Sequence, residues 1–293
     1  MKLHGIIMRL LIVSFLMVFS QLSVNAGSLH YEATLEDSVW EVTSSPLRCT
    51  LTHPVKLFGK AQFYQLAGYQ PKFRFYVDQA PIRKGKVKME SVAPGWKNNE
   101  KTRSLGSYSY QKGETPFRYK RKMSLRLLSE LEQGMRPIFN FKDWGDGKDD
   151  VAAVLSTVRY REALGKFRVC MGQIIPYDFK NVKNTMVNFD TAKYNLNKKA
   201  RRELDAVVAY LTRDPSVKKA NVNGHTDNRG THTYNNTLSQ QRALAVRQYL
   251  LDHNVPVTKL SVKYFGKRKP LDVNRTKKGR ATNRRVWVEL IRE

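Results

Sequence analysis

The feature that most constrains this chain is the stretch 222–246, where a strand-like run, a polar loop and an amphipathic helix follow one another directly. The loop carries a carboxylate, Asp227, and the helix carries a guanidinium, Arg242. At about 100° per residue, Leu238 and Tyr249 lie close to one line along the helix, and Arg242 lies only about 40° from Leu238. The helix therefore presents a cation on a stripe that is otherwise apolar.

An Arg on a buried stripe is costly unless its charge is paired, because removing a guanidinium from water carries a large penalty. We also expect Arg242 near the N-terminus of its helix, where free N–H groups favour anions. A fixed anion beside a fixed, partly dehydrated cation suits the two ends of a zwitterionic amino-acid head group. Two plainer interpretations stay open: an internal Arg242–Asp227 salt bridge, or an Arg whose stem packs while its head reaches water.

Residues 1–26 have the pattern of a secretory signal peptide. Lys2 and Arg9 supply the positive start, and Leu10 to Phe19 form the apolar core, which small residues follow. That core of about ten residues is too short to span a bilayer comfortably, and no later segment approaches the roughly 18 apolar residues of a membrane span. We therefore expect an exported chain that does not span a membrane and is long enough for two domains.

The chain has two cysteines, Cys49 and Cys170. In an oxidising compartment an isolated pair favours a bridge. Closing a loop of about 120 residues would remove unfolded-state entropy worth on the order of 4–5 kcal/mol. We predict a Cys49–Cys170 disulfide that joins the N-terminal domain to the start of the second domain.

The formal net charge is +27. A field of this sign favours nucleic acid, anionic lipid or the carboxylate-rich cell wall as partner. An exported protein rarely meets nucleic acid, and the sequence has no signature of a nucleic-acid-binding module. We therefore expect the wall or an acidic protein and no nucleic-acid partner, with a solvated basic surface that has no dedicated partner as the alternative.

From residue 27 to 165 the pattern is that of short strands, which predicts a mainly antiparallel β domain, either a sheet or a small barrel. Phe73 and Phe75 alternate with Lys72 and Arg74, so that strand has one apolar and one basic face. The basic, aromatic faces could bind an extended acidic surface, or they could be ordinary solvent-facing positions. A short helix is also expected, with a serine at position 124 as its cap.

Residues 166–184 are interpreted as a linker, and the hydrophobic period changes from 185 to 293. Strand-like and helix-like segments there follow the order β-α-β-α-β-β. This order predicts an α+β domain with its helices on one side of a small mixed sheet. Asn195 or Asn197 is expected to cap the first helix of this domain.

The C-terminal region resembles the OmpA-like peptidoglycan-binding domain, because several spaced elements agree in order. The matching elements are Asn188-Phe189, Gly224-His225-Thr226-Asp227, Asn235, Leu238-Ser239, Arg242-Ala243, Phe265-Gly266, Gly279-Arg280 and Asn283-Arg284-Arg285-Val286. The resemblance implies that Asp227 engages the ammonium of meso-diaminopimelate in a stem peptide of the wall. It implies equally that Arg242 engages the carboxylate of that group.

The same resemblance implies a set of residues that line or support the pocket: Phe189, Thr226, Asn235, Leu238 and Arg285. Each also has a plainer interpretation. Phe189 and Leu238 could belong to the core only, Asn235 could cap the helix, and Arg285 could be a charge on the face of the sheet.

The whole chain resembles the MotY family of periplasmic proteins of the sodium-driven flagellar motor. The segments that carry this resemblance are Ser45-Pro46-Leu47-Arg48-Cys49, Gly59-Lys60-Ala61-Gln62-Phe63, Phe167-Arg168-Val169-Cys170 and Ile175-Pro176-Tyr177. The resemblance implies a structural component whose N-terminal domain joins the flagellar basal body. It also implies a ring formed with a partner, MotX, which helps to retain stator units containing PomA and PomB.

A peptidoglycan-binding wall hydrolase, or another wall-anchored envelope protein, is the competing function. His225, Asp227 and His232 lack the spacing of a known metal motif. No Ser or Cys stands in a recognisable nucleophile context, so we expect no enzyme, no catalytic residue, no metal and no cofactor. An outer-membrane barrel is disfavoured because the N-terminal strands are few, short and basic.

Overall fold

The computed structural model describes residues 28–97 and 100–293. The signal peptide expected at residues 1–26 lies outside the described residues. The elements of the N-terminal domain are, in chain order, β1 (Ser28–Tyr31), β2 (Glu41–Ser45), β3 (Arg48–Val55), β4 (Gly59–Leu66), β5 (Lys72–Val77), β6 (Gly85–Val92), β7 (Arg103–Tyr110), β8 (Phe117–Tyr119), α1 (Arg121–Glu132), β9 (Arg136–Lys142), β10 (Asp150–Val154) and α2 (Tyr160–Gln173).

Two five-stranded sheets form this domain, with strand orders β1-β10-β9-β6-β7 and β2-β3-β4-β5-β8. All pairings in them are antiparallel except β1 with β10, which is parallel. The prediction of a mainly antiparallel N-terminal domain is confirmed. Of the two forms considered, the structure has separate sheets that face each other rather than one barrel.

An aromatic core joins the two sheets. Phe73 and Phe75 of β5 and Phe139 of β9 are almost completely buried. The Phe139 ring lies 5.7 Å from the Phe73 ring and 5.5 Å from the Phe75 ring, measured between centroids. The alternation seen in the sequence thus becomes one apolar face turned toward the other sheet, and β5 keeps its basic residues on the outside.

Helix α1 begins earlier than expected. It starts at Arg121 after Lys120, and its first turn has no side-chain cap. Ser124 is buried inside the helix, where its hydroxyl donates to the Lys120 carbonyl at 3.0 Å. The prediction that Ser124 caps this helix was therefore wrong, because a serine hydroxyl can also bond back to a carbonyl one turn earlier.

The Cys49–Cys170 disulfide is confirmed, with 5.9 Å between the two Cα atoms. It joins β3 to α2, and α2 packs on β2 and β3. The bridge therefore closes the N-terminal domain on itself and does not connect it to the second domain as expected.

The segment 166–184, interpreted as a linker, is largely helical. It contains the second half of α2 and the short helix α3 (Phe179–Val182). Between them, the Ile175 amide donates to the Pro46 carbonyl and the Ile175 carbonyl accepts from the Gly68 amide. On the other side, the Tyr210 hydroxyl donates to the Tyr177 carbonyl at 2.7 Å. The segment is therefore tied to both domains.

The C-terminal domain continues with β11 (Asn184–Asn188), α4 (Lys198–Arg213), β12 (Val217–Gly224), α5 (His232–Asp252), β13 (Leu260–Tyr264), α6 (Lys277–Asn283) and β14 (Arg285–Arg292). Its sheet has the order β11-β14-β12-β13, with β12 and β13 parallel and the other pairs antiparallel. The Asn197 side chain caps α4 by accepting from the Ala200 amide. The α+β prediction is confirmed, but it missed the seven-residue helix α6 before the last strand.

Among the described residues, no helix is both long enough and apolar enough to cross a membrane.

Candidate functional site

The site is built where β12 ends and α5 passes over it. Gly224 is the last residue of β12, and a Cβ at this position would lie 2.1 Å from the Ser239 carbonyl oxygen of α5. Only glycine permits so close an approach between strand and helix. The Ser239 hydroxyl also accepts from the Gly266 amide at 3.0 Å. The strand end, the helix and the loop after β13 are thereby fixed to one another.

Asp227 lies in the loop that follows Gly224 and is almost buried. One of its carboxylate oxygens is 3.1 Å from Nη1 of Arg284. The other oxygen accepts from the Arg229 amide at 3.0 Å. Arg284 is held in turn by the Phe189 carbonyl, which accepts from its Nε at 3.2 Å. The anion is therefore fixed, and its cationic partner is Arg284 rather than Arg242.

Arg242 has no exposed surface at all. Its Nε donates to the Lys193 carbonyl at 2.9 Å, Nη1 to the His225 carbonyl at 3.1 Å and Nη2 to the Asp190 carbonyl at 3.1 Å. Neither plainer interpretation holds, because the head group reaches neither Asp227 as an ion-pair partner nor water. The guanidinium instead ties the loop after β11 to the loop after β12.

The expected position of Arg242 near a helix N-terminus was wrong. Helix α5 begins at His232, where Thr231 caps it by accepting from the Tyr234 amide. Arg242 therefore lies about three turns inside the helix, whereas the effect of free N–H groups is confined to the first turn. The helix end does not contribute to the charge at this site.

Burial is the main cause that lowers the pKa of Arg242 to about 10. The neighbouring charge of Arg284 contributes to this lowering, and the charge of Asp227 opposes it. The side chain stays charged at neutral pH. A guanidinium has five N–H groups, and the three carbonyls leave one hydrogen on each terminal nitrogen. Two N–H groups on neighbouring nitrogens suit the two oxygens of a carboxylate.

The other predicted site residues gather around this pair. The Phe189 ring is buried, with its centroid 5.3 Å from Cζ of Arg242. Leu238 is buried on α5. Asn235 does not cap α5. Its side-chain Nδ2 donates to the Arg229 carbonyl at 2.9 Å and to the Thr231 carbonyl at 3.1 Å, so it closes the Asp227 loop onto the helix.

Three buried side chains of the site keep unused hydrogen-bonding groups within the described chain, and one of these groups is Nδ1 of His225. Thr226 has a buried hydroxyl without a partner, and Arg285 has a buried Nε and Nη1 without partners. Arg285 donates only from Nη2, to the Lys269 carbonyl at 3.2 Å. Buried polar groups are normally satisfied, so these atoms mark a place where a polar ligand or water would be stabilised.

His225 is buried between the charges of this site. Its ring stacks on Phe265 with 5.2 Å between centroids. The pKa of His225 is lowered to about 4, mainly by burial and in part by the charges of Arg285 and Lys269. The imidazole is therefore neutral at physiological pH, which avoids a further cation beside Arg285.

Sequence reasoning did not identify two residues that the structure places at the site. Arg284 is the ion-pair partner of Asp227, although only its neighbour Arg285 was selected. Asn283 is completely buried, and its side chain binds the Leu271 and Asp272 amides and Oδ1 of Asn274. The run Asn283-Arg284-Arg285 was the available signal, and its polar side chains before an apolar strand could have indicated a structural network.

Within the two described stretches, no group of three or more His, Cys, Asp or Glu side chains is arranged to hold a metal ion. The carboxylate of Asp227 is held by Arg284 and the Arg229 amide, and the ring of His225 stacks on Phe265. His232 lies exposed on α5, where its Nδ1 is 3.2 Å from the Asn236 amide.

Comparison with known proteins gives two family matches, to the MotY N-terminal domain over residues 31–176 and to the OmpA family over residues 188–284. The chain is 28% identical over 286 residues to the sodium-type flagellar protein MotY of Vibrio parahaemolyticus, covering 93% of this chain and 95% of that protein. It is 38% identical over 109 residues to the peptidoglycan-associated lipoprotein of Haemophilus influenzae, covering 37% of this chain and 70% of that protein.

A solved structure is also similar in its C-terminal part. The crystal structure of the peptidoglycan-associated lipoprotein from Burkholderia pseudomallei matches with a TM-score of 0.35 at 31% identity, covering 36% of this chain and 90% of that chain. The two family resemblances seen in the sequence are confirmed by the family matches.

Proposed function

The chain belongs to the OmpA family by its C-terminal domain and carries a MotY N-terminal domain, and from this premise we propose that it anchors a flagellar motor to peptidoglycan. In this function it is a periplasmic, non-enzymatic structural component. The C-terminal domain binds the wall by recognising diaminopimelate, and the N-terminal domain joins the basal body.

The pair Asp227 and Arg242 is the observation that carries this proposal. Asp227 receives the ammonium of diaminopimelate on lone pairs that Arg284 and the Arg229 amide leave free. Arg242 receives the adjacent carboxylate on its two remaining N–H groups. The unpartnered hydroxyl of Thr226 supports a polar ligand beside Asp227.

Phe189 and Asn235 position this pair. The Phe189 ring packs against the Arg242 guanidinium, and Asn235 holds the Asp227 loop on α5. Leu238 is a buried apolar residue of α5 beside this pair, and Arg285 contributes a second buried cation.

Access to Arg242 requires a movement of the loop 190–197. The carbonyls of Asp190 and Lys193 in this loop accept hydrogen bonds from Arg242, and the loop residues are mostly exposed. Opening the loop breaks its hydrogen bonds to Arg242, and the stronger charge-assisted bonds to an incoming carboxylate offset this loss. In the proposed function the carboxylate of the ligand takes the place of at least one of these carbonyls.

The N-terminal domain assembles the motor part of the proposed function. It forms a ring with MotX around the flagellar basal body, and the ring helps to retain stator units that contain PomA and PomB. Support for this part is the similarity along nearly the whole chain to a protein named as a sodium-type flagellar protein.

Sedimentation of the mature chain with purified sacculi tests wall binding. Asp227→Asn keeps the shape of the side chain and removes its charge, and we expect it to lower the bound fraction by about tenfold or more, since a buried charged contact contributes several kcal/mol. Asp252→Asn, an exposed change at the C-terminal end of α5, is the matched control and should bind as the parent does.

Free ligands then separate recognition of diaminopimelate from attraction of a basic protein to an anionic wall. We expect meso-diaminopimelate to release the chain from sacculi. Nα-acetyllysine amide, which keeps the side-chain ammonium but has no carboxylate, should release it far less. Equal release by the two, or undiminished binding of Asp227→Asn, would refute the proposed recognition.

A further inference from the structure

The outer face of the sheet β2-β3-β4-β5-β8 concentrates positive charge. The strand pairing aligns Thr52, Gln62, Arg74 and Arg118 in one row across four strands, so their side chains share one face. The cations on this face, which we call the basic sheet face, are Arg48, Lys60, Lys72, Arg74 and Arg118. Glu41 at the edge strand is paired with Thr52 and adds one carboxylate.

The Arg74 side chain is held rigidly at the centre of this face. Its Cζ lies 4.5 Å from the centroid of the Tyr64 ring and 4.7 Å from that of the Tyr76 ring. Its Nε and Nη2 both donate to Oε1 of Gln62, at 3.0 and 2.6 Å. Its Nη1 makes no hydrogen bond within the described chain. The guanidinium is therefore preorganised, so little side-chain entropy remains to be lost when it binds an anion.

On the opposite sheet, cations form ion pairs with carboxylates. There Lys88 pairs with Glu90 at 2.8 Å, Lys142 with Asp150 at 2.9 Å and Arg136 with Glu32 at 3.0 Å.

By contrast, across residues 28–97 and 100–293 none of the five cations of the basic sheet face has a carboxylate within 4.0 Å. The ion pairs of the described chain lie elsewhere. The cations of this face are thus not held in ion pairs as those of the opposite sheet are, and among the described residues the nearby carboxylates of Glu41 and Glu114 form no ion pair with them.

The surface around Arg74 is concave. A cavity of about 430 Å³ is lined by Tyr64, Arg74, Tyr76, Glu114, Thr115 and Arg118. Arg118 is fixed at its rim, with Nε donating to the Thr115 carbonyl at 3.0 Å. Two fixed guanidinium groups therefore border one depression.

We propose that the basic sheet face docks an extended acidic segment of a partner protein. Side chains on one side of an extended peptide recur about every 6.8 Å, the same interval at which Lys72 and Arg74 recur along β5. Carboxylates at alternate positions of the peptide then meet cations at alternate positions of the strands. This surface belongs to the N-terminal domain and does not depend on wall binding.

The geometry favours carboxylates over ligands that stack. Single-stranded nucleic acids stack their bases on free aromatic faces, but Arg74 already packs against both Tyr64 and Tyr76. The groups of the basic sheet face that remain available to a ligand are the N–H donors of its Arg and Lys side chains. Carboxylate groups bind guanidinium in a planar, two-point geometry, and an acidic peptide supplies them at the spacing of the strand.

Fluorescence anisotropy of the mature chain with a labelled peptide of alternating Glu and Thr tests the proposal. The double change Lys60→Glu and Arg74→Glu is expected to weaken binding by about tenfold or more. The matched control is Lys86→Glu with Lys88→Glu, two exposed positions on β6 of the other sheet that give the same change in net charge. The control should weaken binding by less than about twofold.

Equal weakening by the two double variants would overturn the proposal, because the overall charge would then account for binding. Tighter binding of a DNA duplex or of dextran sulfate than of the peptide, lost in the same variant, would also overturn it. Should the glutamate variant fail to fold by circular dichroism, Lys60→Gln with Arg74→Gln gives the same comparison against Lys86→Gln with Lys88→Gln.

Discussion

Replacing Arg242 with Ala is expected to lower the local free energy of unfolding around α5 by about 4–5 kcal/mol. The side chain donates to the carbonyls of Asp190, Lys193 and His225, and each such bond contributes on the order of 1 kcal/mol. Because Arg242 has no exposed surface, truncation also leaves a cavity and three carbonyls without their donor. This adds roughly 1–2 kcal/mol.

Hydrogen–deuterium exchange of the full mature chain, followed by mass spectrometry of peptides from α5 and β12, measures this loss locally. A local measurement is needed because a two-domain chain need not unfold in one step. Arg247→Ala on the same helix is the control, since Arg247 has no side-chain hydrogen bond or ion pair among the described residues, and it should cost about 0.5 kcal/mol or less. A loss below about 1 kcal/mol for Arg242→Ala would show that the three bonds do not hold the loops together.

Two further changes test the packing and the charge of the site. Gly224→Ala places a Cβ 2.1 Å from the Ser239 carbonyl oxygen. It should destabilise the C-terminal domain by about 2 kcal/mol or more in denaturant unfolding. The control is Gly165→Ala in α2, where an added Cβ meets nothing within 4 Å, and it should stabilise the chain by about 0.5–1 kcal/mol. Because the pKa of His225 is lowered to about 4 from an ordinary value of about 6.5, the folded state binds the proton less well than the unfolded state. The stability linked to His225 is therefore present above pH about 6.5, and the free energy of unfolding falls by about 3 kcal/mol as the pH drops toward 4. His225→Gln should remove this pH dependence of the unfolding free energy, and the control His30→Gln should keep it.

The sequence predicted the two charges of the site because each breaks a local pattern. Arg242 interrupts an apolar stripe, and Asp227 follows directly on a strand end. The partners of Arg242 could not be predicted in the same way. They are main-chain carbonyls, and any residue type offers a carbonyl, so the sequence carries no sign of which loop supplies it.

The choice between Arg284 and Arg285 shows a second limit. Arg285 is the first residue of β14, whereas Arg284 lies just before the strand at the end of α6, so the point at which the strand begins decides which of the two meets Asp227. That position depends on helix α6, which ends at Asn283 and turns Arg284 toward Phe189 and Asp227. The seven-residue helix left no clear period in the sequence, and the ion pair was missed with it.

In the N-terminal domain, the alternation around Phe73 was enough to predict antiparallel strands. The parallel pairing of β1 with β10 brings Ser28 beside Asp150. Pairing over so long a separation is set by the closing of the whole domain rather than by local pattern. The strand class was therefore predictable, and the division into two sheets was not.

The hydrogen bonds of Arg242 bear directly on the selectivity of the proposed wall contact. The buried guanidinium of Arg242 is bonded only to neutral carbonyls and has no ion-pair partner in the described part of the chain, because Asp227 is already paired with Arg284. A bond to a carboxylate is about twice as strong as one to a neutral acceptor, so an incoming carboxylate can displace the Asp190 or Lys193 carbonyl, whereas a neutral amide has no such advantage. On the proposed function, diaminopimelate with its terminal carboxylate converted to an amide should therefore compete poorly with sacculi even though its ammonium still fits Asp227.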